Sequence, residues 1–233
     1  MNAGLVAACA VAGGVAGALL YPAEAAVSPP PRRSEPDVVR EPLPGRLGER
    51  VGVAVVTGVC CGLAAVRLGA VPELPAYLVL FVGLIAVSMV DVRVRQIPRK
   101  MLYPTFGLTA VGLVAASAAD DRWRGLATGA LAGAAAFAVF FALWFFIPGG
   151  MGFGDVPMAG VIGFSLGWLG LGPAYIGFLA AFLVGSLLGL VLMIKHRTGR
   201  KTRLPFGPAL AAGAVVGVLW GPWLAHAWLH RGG

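Results

Sequence analysis

Apolar residues follow one another in long uninterrupted runs, and the short breaks between the runs hold nearly all of the charged residues. The runs lie at approximately 1–21, 51–70, 75–91, 103–119, 125–147, 156–171, 174–194 and 205–229. A helix needs roughly 20 apolar residues to cross the hydrocarbon core of a bilayer, and most of these runs reach that length. They are too long to be the spans of a membrane β-barrel. The pattern therefore predicts an all-α, polytopic integral membrane protein of about eight transmembrane helices. The run at 156–171 is the shortest and is rich in Gly, so its status as a span is the least secure.

The segment 22–50 breaks the pattern. It contains Pro29-Pro30-Pro31, then Pro36, Pro42 and Pro44, with five Arg and five acidic residues. Such a stretch cannot bury enough apolar surface to fold alone, so an extended loop is expected. The first run has no cation ahead of its apolar core, which favours a retained helix over a cleaved signal. Four regions result: a first helix at 1–21, the Pro/Arg-rich loop at 22–50, a second helix with its connection at 51–74, and a membrane domain at 75–230.

Charge orients these spans. The break after Asp91 carries Arg93, Arg95, Arg99 and Lys100, and the break before the last run carries Lys195, Arg197, Arg200, Lys201 and Arg203. Cationic loops stay on the cytoplasmic side. The alternate breaks hold few cations or offset them with Glu73, Asp120 and Asp121, so eight spans alternate without conflict.

Composition supports the same class. Residues of the hydrophobic types make up 58% of the chain and charged ones 12%, where a soluble domain carries about 25% charged residues. The net charge of +8 is distributed in interspan clusters; the positive-inside pattern accounts for it, and nucleic acid is not required. Cys9, Cys60 and Cys61 lie in apolar stretches without a C-x-x-C pair, as packing residues do.

One stretch differs from everything around it: Gly149-Gly150-Met151-Gly152-Phe153-Gly154-Asp155, an acid behind repeated glycines between two apolar runs. Asp155 reads either as the N-cap of the following helix or as a functional acid, because ionisable residues at membrane depth are costly. Asp91, which closes the run at 75–91, reads either as a loop residue offsetting Arg93 and Arg95 or as a second functional acid. The alternation of spans brings both acids to the cytoplasmic face.

Two carboxyls held close in a partly desolvated site cannot both ionise easily and share a proton. One then serves as general base on water and the other as general acid toward a peptide carbonyl. This chemistry needs neither metal nor cofactor, and no His, Ser or Cys in the chain has an evident partner for a different mechanism.

Asp91-Val92-Arg93-Val94-Arg95-Gln96-Ile97-Pro98, Gly150-Met151-Gly152-Phe153-Gly154-Asp155 and Leu204-Pro205-Phe206-Gly207-Pro208 follow in an order that resembles the type IV prepilin peptidases, GxGD-type aspartic proteases of membranes. The resemblance covers roughly 75 to 215. It implies that Asp91 and Asp155 are the catalytic pair. It also implies hydrolysis of the leader peptide of prepilin or pilin-like precursors at the cytoplasmic face of the inner (cytoplasmic) membrane. Gly152 and Gly154 would let a substrate backbone approach Asp155, pairing as an added strand.

The chain departs from the family in three places. Arg99 stands where Asn or Asp is frequent, and Pro157 where Lys is frequent. Members that also methylate the new N-terminus commonly carry paired C-x-x-C motifs in the first cytoplasmic loop, whereas 22–50 has no cysteine. Peptidase activity without N-methyltransferase activity is the expectation. Leu204 to Pro208 reads on physical grounds as the start of a helix; the resemblance implies that it packs near the site without chemistry of its own.

Two other classes fit an acidic, polytopic chain: a proton-coupled transporter and a noncatalytic component of a pilus or secretion assembly. A transporter would place its acids near the midplane within repeated halves, and here they sit at span ends without a repeat.

Overall fold

The computed structural model describes residues 2–27, 47–94, 97–147, 151–196 and 206–229. These residues form eight helices: α1 (Ala3–Val27), α2 (Leu47–Leu68), α3 (Leu74–Val94), α4 (Arg99–Asp120), α5 (Trp123–Phe146), α6 (Asp155–Leu169), α7 (Leu171–His196) and α8 (Gly207–Leu229). Seven are long and apolar enough to cross a membrane, and α6 is the exception. The chain is a multi-pass membrane protein.

Each apolar run became a helix. The segment 22–50 needs a partial correction, because α1 continues to Val27 and α2 begins at Leu47. Ala23 to Val27 is short of helix breakers and simply prolongs α1. Residues 28–46, the Pro-rich centre of the expected loop, lie outside the described residues.

Consecutive helices pair as four antiparallel hairpins, α1 with α2, α3 with α4, α5 with α6 and α7 with α8. Helix α3 also meets α1, α2 and α8, and α6 also meets α4, α7 and α8. Burial follows from this placement. In the membrane-length window of α3 61% of residues are buried, against 17% in those of α1 and α7, which turn most of their surface to lipid.

Helix α6 resolves the doubt about the fifth interior run. Its 15 residues give a rod of about 22 Å, shorter than the ~30 Å hydrocarbon core. It need not match the bilayer, because 11 of those residues are buried in protein. A helix apolar on every side belongs in an interior. Close approach to α5 comes from small residues: the Cα of Gly133 faces Gly163, and the Cα of Gly129 faces Gly167. Lipid gives helices no hydrophobic drive to associate, so such intimate contact is what holds the hairpin.

Polar side chains lock the end of the bundle remote from Asp91. Glu73 was expected only to offset cations; it is buried and forms an ion pair with Arg122 at 3.1 Å. The Arg122 guanidinium lies over the Trp168 ring at 4.2 Å. Trp168 Nε1 donates to Ser117 Oγ at 2.8 Å, and the Tyr77 hydroxyl donates to the Ser165 carbonyl at 2.8 Å. These contacts tie α3, α4 and α6 together. Cys9 and Cys61 are buried and all three cysteines are free thiols, in keeping with a packing role.

Candidate active site

Asp91 stands in the last turn of α3, only 4% exposed. Its Oδ2 accepts a hydrogen bond at 2.9 Å from the backbone N–H of Gly207, the first residue of α8. The opening N–H groups of a helix have no acceptor within the helix. Asp91 satisfies one of them from a different helix, and the positive end of α8 favours its negative charge. A side chain at 207 would have to displace the carboxylate, since a Cβ there would lie 2.7 Å from that Oδ2 and 3.2 Å from the Asp91 Cβ.

Asp155 opens α6 and is also 4% exposed. Its Oδ2 accepts from the Gly152 N–H at 3.1 Å, while its own N–H donates to the Gly152 carbonyl at 3.1 Å. The carboxylate thus folds back on the glycine turn that precedes it. A Cβ on Gly152 would come 3.4 Å from Asp155 Oδ2, in ordinary contact.

The aspartate motifs meet directly. At Gly154 a Cβ would lie 2.7 Å from the Cβ of Ile97, so the missing side chain makes room for the segment that follows Asp91. Arg99, one of the departures noted above, places its guanidinium 5.5 Å from the Phe153 ring. Phe153 in turn packs edge-on to Trp144 with centroids 5.0 Å apart. Arg95, Gly149, Gly150 and Leu204-Pro205 lie outside the described residues, as do Arg197 to Arg203; of Arg93, no side-chain placement is described.

Across this junction the two carboxylates are near enough for the charge of Asp91 to act on Asp155. Each commits Oδ2 to a backbone N–H, which leaves Oδ1 uncommitted among the described residues. Two buried acids placed this way resist ionising together. Among the described residues no group of three or more His, Cys, Asp or Glu is placed to hold a metal ion. The free thiols of Cys60 and Cys61 are adjacent in α2 and do not match a four-cysteine zinc site.

Sequence reasoning placed Leu204 to Pro208 near the site but did not give Gly207 a contact with Asp91. The signal was present: a glycine between Phe and Pro at a helix start is needed only where something comes close. Nothing in one dimension says what that neighbour is.

Fold and site together define a polytopic helical membrane protein with a buried pair of acids at one end of its bundle. The sequence model of the type IV leader peptidase family matches residues 78–194, which include both aspartates. The chain belongs to that family. It is 33% identical to a prepilin leader peptidase/N-methyltransferase of Bacillus subtilis over 72% of this chain and 64% of the relative. Proteins of the same description from Stutzerimonas stutzeri and Pseudomonas aeruginosa are 32% and 30% identical, over 76% and 78% of this chain and 61% of each relative. The chain thus spans 61 to 64% of the length of these relatives. No solved structure matches.

Proposed function

We propose that this protein is a membrane aspartic endopeptidase that removes the leader peptide of type IV prepilin or pilin-like precursors at the cytoplasmic membrane face. The observation that carries the reading is the convergence of Asp91 and Asp155, from separate helices within the family match, into one buried, electrostatically coupled pair.

The mechanism needs only this chain and water. The ionised carboxylate takes a proton from water, whose oxygen attacks the scissile carbonyl; the protonated partner donates to the carbonyl oxygen. The two carboxyls have then exchanged roles; on collapse the one that took the water proton gives it to the leaving nitrogen, the C–N bond breaks, and the other recovers a proton from the gem-diol hydroxyl, which restores the starting dyad. Substrate reaches the pair from the lipid as a single helix, its basic leader on the cytoplasmic side. The cation-rich breaks at 91–100 and 195–203 support that orientation in the inner membrane. Gly152 and Gly154 border the path of the substrate backbone beside Asp155; at Gly154 part of the free space is taken by Ile97.

The relatives' descriptions pair peptidase with N-methyltransferase. Methyl transfer is not proposed for this chain, because segment 22–50 has no cysteine with which to build the zinc scaffold.

The test is co-expression with a pilin-like precursor, read by gel shift and N-terminal sequencing, with Asp91→Asn and Asp155→Asn alongside. Cleavage by the unaltered protein, abolished by either substitution at equal membrane levels, is expected. Cleavage that survives both substitutions would refute the dyad. Transfer of a methyl group from S-adenosylmethionine by the purified protein would refute the restriction to proteolysis.

A further inference from the structure

We propose that the Phe206–Gly207 step is a positioning device for the acid pair: a caged phenylalanine aims the first N–H of α8 at Asp91 and holds that carboxylate in its working orientation. The inference rests on the peptidase reading and adds residues that lie beyond the family match, which ends at 194.

Phe206 precedes α8 and inserts among aromatic rings from two other helices. Its ring centroid is 6.2 Å from that of Phe140 on α5 and 5.8 Å from that of Phe182 on α7. Phe140 also contacts Phe178 and Phe182, each at 5.7 Å, and is itself 2% exposed. The Phe206 ring also lies against Gly185, one turn from Phe182 on α7, where any side chain would collide with it. A partly buried ring packed against two helices has reduced rotational freedom, and aromatic contacts of this kind are directional.

The next residue is where that rigidity is used. Gly207 is buried, its N–H donates to Asp91 Oδ2 at 2.9 Å, and its missing Cβ leaves the gap that the carboxylate fills. Among the described residues the carboxylate is hydrogen-bonded through Oδ2 only, which restricts its rotation and leaves Oδ1 for water or a proton. A helix start needs neither a buried glycine nor a carboxylate from 116 residues away. Both are explained if the segment orients the acid. Gly207 acts on Asp91 through its N–H to Oδ2, and Phe206 acts through Gly207; both are positioning residues.

Gly207→Ala keeps the N–H and adds a methyl against the carboxylate. The expected result is a fall in kcat of tenfold or more with KM for the precursor unchanged within twofold, counted per folded, monodisperse molecule. Phe206→Leu, which leaves Gly207 in place and loosens its anchor, should lower kcat several-fold with the same unchanged KM.

The contact itself is tested by thermal unfolding in detergent. Gly207→Ala should lower the unfolding midpoint in the Asp91 background and do so clearly less when Asp91→Ala has removed the carboxylate and left only a Cβ at 3.2 Å. If Gly207→Ala alone fails to fold, recovery of folding in the double variant and the kcat of Phe206→Leu carry the test in its favour. Equal loss of stability in both backgrounds, or wild-type kcat in either single variant, would overturn the proposal. If Asp91→Asn still cleaves, the dyad is wrong and the positioning role falls with it. A protein inert on every precursor would count against the peptidase reading, while the unfolding comparison would still decide whether Gly207 and Asp91 are coupled.

Discussion

Replacing Gly163 by alanine tests whether the packing of α6 sets the geometry of the acids. A Cβ at 163 would lie 2.7 Å from the Ala132 carbonyl oxygen and 2.8 Å from the Ala136 Cβ, where ordinary contact begins at 3.4 Å. Neither neighbour can rotate away, because one is backbone and the other is a Cβ. The helices must therefore part by about 0.7 Å, the difference between 3.4 and 2.7. Alanine is favoured over glycine within a helix by about 1 kcal/mol, whereas overpacking a tight interior costs roughly 1–3 kcal/mol. The clash wins, and a net loss of about 1 kcal/mol is expected. Gly107 on α4 has nothing within 4 Å of its Cβ position; there only the helix preference acts, and Gly107→Ala should stabilise by up to ~1 kcal/mol. Activity should separate the two further. Asp155 begins the helix that Gly163 pushes, and a misplacement of about 1 Å at a reacting group can cost on the order of 100-fold. Cleavage of a pilin-like precursor should fall roughly tenfold or more in Gly163→Ala and stay at the wild-type rate in Gly107→Ala, on the same interpolation. Thermal unfolding in detergent and gel-shift kinetics on the same samples provide both readouts. If Gly163→Ala unfolds no earlier and cleaves no more slowly than wild type, the coupling of hairpin packing to the acids is refuted.

Further substitutions probe other parts of the bundle. Tyr77→Phe removes the hydroxyl that donates to the Ser165 carbonyl at 2.8 Å; about 1 kcal/mol of stability should be lost, read from the unfolding midpoint. Trp168→Phe deletes the donor to Ser117 and weakens the ring under Arg122. It should cost about 1–3 kcal/mol yet leave cleavage per folded molecule unchanged, since it acts at the opposite end from the acids. Phe140→Ala empties the centre of the aromatic cage; a loss of about 3–5 kcal/mol is expected, together with slower cleavage by whatever protein remains folded.

Much of this architecture was legible in the order of residues. Hydropathy alone located all eight helices, because a bilayer imposes a length and an apolar character on whatever crosses it. The alternation of cationic breaks then put Asp91 and Asp155 on one face, although 64 positions separate them in sequence. The short, Gly-rich run at 156–171 was a weak span for a physical reason: α6 is covered by protein, so the bilayer does not set its length. Contacts between helices were less visible. Glu73 looked like a charge on a connection, yet it is buried against Arg122, a pairing that depends on how α3 and the start of α5 are juxtaposed. Gly154 read as space for a substrate, and Ile97 occupies part of it. The partner of Gly207 was hidden for the same reason, since a glycine announces a close neighbour without naming it.

The short, buried α6 also has an electrical consequence. Between the aspartates and the Trp168 end lie Leu84, Phe81, Ile162, Leu166 and Tyr77, each under 2% exposed, with Trp168 itself closing the far side at 1%. A file of water molecules needs polar groups to hydrogen-bond along its way, and among these side chains only the Tyr77 hydroxyl, already donated to the Ser165 carbonyl, and the Trp168 indole N–H, already donated to Ser117, are polar. An ion crossing it would lose its hydration without compensation. Acids at one end of the bundle are thereby separated from the far end by an apolar layer. On the proposed peptidase reading, carboxyls that load and unload protons at each turnover would do so without opening a leak across a membrane that stores energy as a proton gradient.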